Sequence, residues 1–241
     1  MLPLFLQRGN MLTDTELAGF EEKIGYRFKD RSLLIQAFTH SSFVNEQKIN
    51  KKGDYERLEF LGDAVLEMIS SAFLFKNFPE KKEGEMSKLR ANLVCEGALA
   101  YDATSLNLKD YIQLGKGEES TGGRNKDSII SDVMEAVIGA LFLDGGIDEA
   151  KRFIDSYVLS DIKIASRFAD SKSGLQELCQ KENLGEIRYE ITGESGPEHD
   201  KIFQVIVFVG EKKLGEGSGK TKKAAEQKAA LEALLVLNDH K

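Results

Sequence analysis

Only two cysteines, Cys95 and Cys179, occur in 241 residues. They are far apart and lack metal-ligand spacing, which argues against a zinc site or a disulfide scaffold and for a reducing compartment, the cytoplasm. Histidine is also scarce. None of His40, His199 and His240 has a nucleophile and an orienting acid in its sequence neighbourhood, so no Ser-His or Cys-His hydrolase arrangement competes for the chemistry. No apolar run is long enough to span a bilayer. The start carries Leu2, Leu4, Phe5 and Leu6 but no basic segment before them and too short a hydrophobic stretch for a secretion signal. Met11 could itself be an initiator, which would leave residues 1–10 as an extension. A basic excess is missing as well: 33 Lys and Arg stand against 40 Asp and Glu, for a net charge of −7. Acids outnumber bases on both sides of residue 170. A polyanion-binding surface must therefore be a patch, and gathered carboxylates would need a cation from outside the chain.

What is present is first a helical period. Apolar residues three and four apart predict helices at Asp14 to Lys23, Arg31 to Phe38, Tyr55 to Lys76, Glu85 to Ser105, Asp127 to Leu143 and Asp148 to Ile164. Loops are expected after Pro79 and over Gly115 to Gly123. After a polar stretch at Ala169 to Ser173 the period changes. A helix at Ser173 to Glu182 precedes alternation at Ile187, Tyr189, Ile191, then at Phe203, Val205, Val207, Val209, a short strand near Lys213 to Gly217, and a helix from Thr221 to Leu237. The expected architecture is an extension at 1–13, an all-α domain at 14–168, a linker at 169–173 and an α+β domain of order α-β-β-β-α at 174–241.

The carboxylates carry the chemistry. Glu56, Glu59 and Asp63 stand at i, i+3 and i+7, within a helical sector of about 60°, with Leu58, Leu61, Val65 and Leu66 on the buried side. Such a stripe is either a solvated face or one wall of a site, and Glu67 lies on it too. Asp132 and Glu135 form a second pair, at i, i+3, in a helix otherwise made of Ile129, Ile130, Val133, Met134, Ala136 and Val137. Carboxylates in such surroundings need a cation or hydrogen-bond donors, whether Arg57, a lysine or a metal ion. If the two helices cross, Glu59, Asp63, Asp132 and Glu135 offer four hard oxygen ligands of the kind Mg²⁺ or Mn²⁺ prefers, a set suited to phosphodiester hydrolysis.

In the C-terminal unit, Gly217-Ser218-Gly219-Lys220-Thr221-Lys222-Lys223 places lysines at a helix start. Helix N–H groups and lysines together make a phosphate site, although the same cluster would also serve as a plain solvated face. Lys116, Arg124 and Lys126, around the glycine-rich loop, are further candidates for such contacts.

Four blocks resemble the bacterial ribonuclease III family: Phe38-Thr39-His40-Ser41, Glu56 through Leu66, Glu83 through Arg90 and Asp127 through Ala136. The resemblance runs from Phe20 to the end. It implies an all-α endonuclease domain followed by a double-stranded RNA-binding domain, and an endoribonuclease that hydrolyses double-stranded RNA with metal-activated water. The expected products are staggered ends with 5′-phosphate and 3′-hydroxyl, and the expected roles are precursor rRNA and mRNA processing. By the same resemblance Glu59, Asp63, Asp132 and Glu135 bind the metal, Mg²⁺ with Mn²⁺ able to substitute. Asp63 and Glu135 would act in catalysis with Glu56 and Glu83, which line the same valley. Gln176 and Gln180 would contact one RNA minor groove, His199 the next, and Lys220, Lys222 and Lys223 the phosphates between. The resemblance also implies a homodimer with Phe60 as an apolar knob, where the residues alone suggest an ordinary core position. No membrane and no small-molecule cofactor are expected. A duplex-binding scaffold without activity, or a phosphohydrolase acting on small molecules, would be the competing readings. The full set of acids argues against the first and the C-terminal unit against the second.

Overall fold

Local capping signals start the first helices at the expected positions. Thr13 forms a capping box with Glu16 ahead of α1, Asp14–Ile24, and the Asp30 side chain accepts the Ser32 N–H ahead of α2, Arg31–Ala37. The computed structural model describes residues 12–47, 53–160, 171–196 and 201–239. In chain order there follow α3, Ser41–Gln47, α4, Glu56–Asn77, α5, Glu83–Leu93, α6, Glu96–Asp102, α7, Lys116–Ser120, α8, Asp127–Gly145, and α9, Ile147–Tyr157. The chain divides into two units, Met1–Ile162 and Lys163–Lys241.

Helix α8 is the axis of the first unit, with Val133, Met134, Ala136, Val137, Ile138, Ala140 and Leu141 buried. Helices α2, α4, α6 and α9 pack around it. Its C-terminal end is tied to the turn between α1 and α2 through Asp144. That carboxylate accepts from the Tyr26 hydroxyl at 2.7 Å and from the backbone N–H groups of Lys29 and Asp30 at 2.8 and 2.9 Å. Burial alone would raise the Asp144 carboxyl, but the donors of Asp30, Lys29 and Tyr26 hold it below the usual carboxylate range.

Two helix readings are corrected, and two short helices form where none was expected. The stretch expected as one helix from Glu85 to Ser105 is two, because Cys95 is extended (φ −72°, ψ 155°). The break redirects the chain so that α5 lies against α4 while α6 buries Ala98, Leu99 and Ala100 against α8. Helix α9 stops at Tyr157, and residues 161–164 of the expected helix lie outside the described residues. The loop expected at Gly115 to Gly123 contains α7, and α3 was not anticipated from the apolar period. Among the described residues no helix is long and apolar enough to cross a membrane.

The second unit has α10, Ser171–Glu182, then β1, Ile187–Ser195, β2, Ile202–Val209, β3, Lys212–Gly219, and α11, Lys222–Asp239. Helix α10 thus begins inside the stretch read as a linker. The strands form an antiparallel sheet of order β1-β2-β3. Val205, Val207 and Val209 point to one face, where Leu175 and Cys179 of α10 and Ala225, Ala229, Ala230 and Ala233 of α11 close the core. Strand β3 reaches α11 through glycine. A Cβ at Gly215 would stand 2.3 Å from the Ala229 carbonyl oxygen, and one at Gly217 2.2 Å from that of Ala225. The backbones touch because glycine and alanine face each other, and this contact fixes the lysine-bearing start of α11 against the sheet.

Candidate metal centre and nucleic-acid interface

Two glycines bring the acidic helices together. At the crossing of α4 and α8, a Cβ on Gly62 would lie 1.8 Å from the Glu135 carbonyl oxygen, and one on Gly139 2.2 Å from that of Leu58. Neither position tolerates a side chain unless the helices part, so the axes approach as closely as backbone allows. Glu59, three residues before Gly62, and Asp132 and Glu135, seven and four before Gly139, therefore face one another across the contact.

Carboxylate oxygens of Glu59, Asp132 and Glu135 all lie within 4.8 Å of one another, and each of these residues is half-buried. Burial first, then the charges of Asp63, Asp132, Glu59 and Glu67, push the Glu135 carboxyl up to about 8. Glu59 is also raised, by burial and then by Asp132, Glu56 and Asp63. Asp132 is raised by burial and by Glu96 and Glu56, against the pull of the Tyr55 hydroxyl and of His40. Among the described residues none of the three forms an ion pair with lysine or arginine, so neither Arg57 nor a lysine compensates them. Mutually repelling carboxylates in a half-buried cleft are chemically a set that could hold a hard divalent cation, whose charge would oppose these upward shifts.

The other expected acids are placed differently. Asp63 is exposed and lies outside the three-residue group, yet its charge is the strongest acting on Glu135. Exposed Glu56 acts on Glu59. Glu83 stands in the first turn of α5, where it accepts from the Ser87 hydroxyl at 2.7 Å. Glu67 pairs with Arg90 at 3.7 Å. Phe60 is 80% exposed, which overturns its reading as a core residue. Met68 and Phe75, also exposed, share its side of α4, within a sector of about 80°.

In the second unit Gln176 and Gln180 are both exposed, one turn apart on α10. Lys220, Lys222 and Lys223 are exposed at the start of α11. The Thr221 hydroxyl accepts the Ala224 N–H at 3.1 Å and caps that helix, and the Lys222 ammonium stands 5.6 Å over the Phe203 ring. His199 lies outside the described residues. In the first unit Arg124 is held by Glu119 and Lys126 by Glu118, at 2.6 and 2.7 Å, so those two cations are already engaged.

The Ribonuclease-III-like family matches residues 30–162, and the double-stranded RNA binding motif matches residues 171–237. Ribonuclease 3 of Shouchella clausii is 48% identical over 96% of this chain and 91% of its own length. The Bacillus velezensis enzyme of the same name is 47% identical over 92% and 90%. This chain belongs to the ribonuclease III family. Among solved structures, the nuclease domain of ribonuclease III from Campylobacter jejuni is 44% identical, with a TM-score of 0.55, over 62% of this chain and 96% of that one. A second structure of that domain, described for flexibility in a region involved in dimer formation, gives 45% and 0.54 over 58% and 94%.

Within this ribonuclease III fold, sequence reasoning missed the residues that build the cleft without lining it. Gly62 and Gly139 were legible in principle, since a lone glycine inside an apolar helix signals close packing. Tyr55, whose hydroxyl reaches Asp132, and Glu96, whose charge acts on Asp132, carried no such signal.

Proposed function

We propose that this double-stranded-RNA endoribonuclease works with a divalent cation, Mg²⁺ or in its place Mn²⁺, held by Glu59, Asp63, Asp132 and Glu135. The observation that carries the reading is the set of three carboxylates within 4.8 Å with Glu135 raised to about 8 by burial and by its acidic neighbours. Bound there, the ion supplies activation of water and charge compensation at the scissile phosphate. The protein supplies the rest. The glycine crossing fixes the spacing of the α4 and α8 carboxylates, Glu135 would hold the ion as its carboxylate, and Glu56 and Glu83 orient water and substrate along the same valley. Hydrolysis in this way leaves 5′-phosphate and 3′-hydroxyl ends.

Phe60, an exposed aromatic on the same helix as Glu59, serves as the knob of a homodimer. Two valleys then act on opposite strands and leave staggered ends. Phe60→Asp is expected to sediment as a monomer where the parent chain sediments as a dimer, since an exposed aspartate loses the apolar contact and leaves the monomer fold untouched.

Gln176 and Gln180 contact one minor groove, His199 the next, and Lys220, Lys222 and Lys223 the intervening phosphates, a reading of A-form shape rather than sequence. Replacing the three lysines by alanine is expected to weaken duplex binding uniformly across sequences and to lower the salt slope by about one per phosphate contact removed. Fluorescence anisotropy at several salt concentrations measures both. The physiological reading is processing of precursor rRNA and mRNA in the cytoplasm.

The test is incubation of a long perfect RNA duplex with Mg²⁺, with Mn²⁺ and with EDTA, followed by end analysis. Short fragments with 5′-phosphates in either metal and an intact duplex in EDTA support the proposal. Cleavage undiminished by EDTA overturns it.

A further inference from the structure

The block Phe38-Thr39-His40-Ser41 touches none of the three clustered carboxylates by a hydrogen bond, yet it is fastened in place by several. Gln113 closes an isolated bridge with Thr39: its N–H donates to the Phe38 carbonyl at 2.7 Å, and its carbonyl accepts the His40 N–H at 3.1 Å. The Thr39 hydroxyl donates to the Ile35 carbonyl at 2.6 Å and accepts from Gln113 Nε2 at 3.0 Å. His40 Nδ1 stands 3.1 Å from the Ser42 backbone nitrogen and 2.7 Å from the Ser42 hydroxyl, contacts that fix the ring's orientation. All of this converges on one neighbour, Tyr55. The Thr39 carbonyl accepts the Tyr55 N–H at 2.9 Å, and the His40 ring lies 5.6 Å from the Tyr55 ring, tilted by 55°.

Tyr55 itself is only 4% exposed. It stands one residue before Glu56, at the start of the helix that carries Glu59, and its hydroxyl donates across to Asp132 Oδ2 on α8 at 3.3 Å. That distance is longer than an ordinary hydroxyl–carboxylate bond. One side chain therefore links the two helices that supply the carboxylates, independently of the glycine crossing.

We infer that Tyr55 is a positioning residue for Asp132: anchored by the Thr39-His40 segment, its hydroxyl holds the α8 carboxylate in the orientation in which it meets Glu59 and Glu135. The inference rests on the reading of that cluster as a divalent-cation site. Ligating carboxylates are oriented by hydrogen bonds from outside the ligand set, and losing such a bond lowers metal affinity by about 10- to 100-fold. The phenol suits the task because it donates one hydrogen bond without bringing a second charge into the cleft.

The test uses Tyr55→Phe, which keeps the buried ring and removes only the hydroxyl. Mn²⁺ binding to the full chain without RNA is followed by the electron paramagnetic resonance signal of free Mn²⁺, beside Glu135→Gln. The expected result is Mn²⁺ affinity at least about 10-fold below the parent's, with an unchanged far-ultraviolet circular dichroism spectrum. Cleavage should need correspondingly more Mg²⁺ for half-maximal rate and recover most of the parent's rate at saturation. Parent-like Mn²⁺ affinity in Tyr55→Phe, with binding lost in Glu135→Gln, overturns the role of Tyr55 and leaves the metal reading standing. A rate lowered equally at every Mg²⁺ concentration also overturns it, since that marks a structural defect. Absence of Mn²⁺ binding in the parent removes the cation site and the inference with it.

Discussion

Gly62→Ala is expected to abolish efficient cleavage through a single added methyl group that touches no substrate. Its Cβ would lie 1.8 Å from the Glu135 carbonyl oxygen and 3.0 Å from the Gly139 nitrogen. Both are backbone atoms of the facing helix, so no side-chain rotation relieves the clash. Helices α4 and α8 must move apart by an ångström or more. The overpacking should cost about 3 kcal/mol of stability, and the displaced carboxylates should lower the cleavage rate by roughly 100-fold or more. Urea unfolding and initial rates measure the two effects. Gly19→Ala is the matching control: a Cβ there meets nothing within 4 Å, and the change should stabilise α1 by up to about 1 kcal/mol. Parent-like activity in Gly62→Ala would show that the helix contact does not set the geometry of the cleft.

Glu135→Gln should produce the second large effect, a loss of cleavage of at least about 100-fold together with an altered pH dependence of stability. In the metal-free protein burial and then the surrounding acids raise the Glu135 carboxyl from 4.5 to about 8. The folded state therefore holds a proton that the unfolded chain has already released. The favourable contribution is fully present below the unfolded value of 4.5 and declines as pH rises, until it is lost above about 8. Metal-free parent protein should accordingly melt at progressively lower temperature across that window, while Glu135→Gln, having no proton to lose there, should show a flatter profile. Mg²⁺ should raise the parent's melting temperature most at the alkaline end, because binding there displaces no proton. Identical pH profiles for parent and variant would contradict the assignment of a strongly perturbed acid at this position.

The sequence made some of this plain and hid the rest for identifiable reasons. Long amphipathic stretches such as those of α4 and α8 declare themselves through apolar residues three and four apart, and the alternation of Val205, Val207 and Val209 declares β2. The division of α5 from α6 was invisible because Cys95, the residue that turns the chain, is not a turn former, and the apolar period continues through it. Phe60 shows the limit of periodicity. An apolar stripe on a helix looks the same whether it meets a core or open solvent, and here the residue is 80% exposed. The acidic stripe of α4 and the pair on α8 were visible as spacing, but their meeting depends on a crossing that no local pattern encodes. Gly62 hints at the crossing, whereas Tyr55 reaches Asp132 across 77 positions of sequence.

The most direct test of the central claim is crystallographic, by anomalous scattering at the manganese edge from crystals of the protein soaked in Mn²⁺. The predicted result is a peak coordinated by carboxylate oxygens of Glu59, Asp63, Asp132 and Glu135, lost in crystals of Glu135→Gln. A peak elsewhere, or none in crystals of protein that cleaves duplex RNA in the same Mn²⁺ concentration, would contradict it.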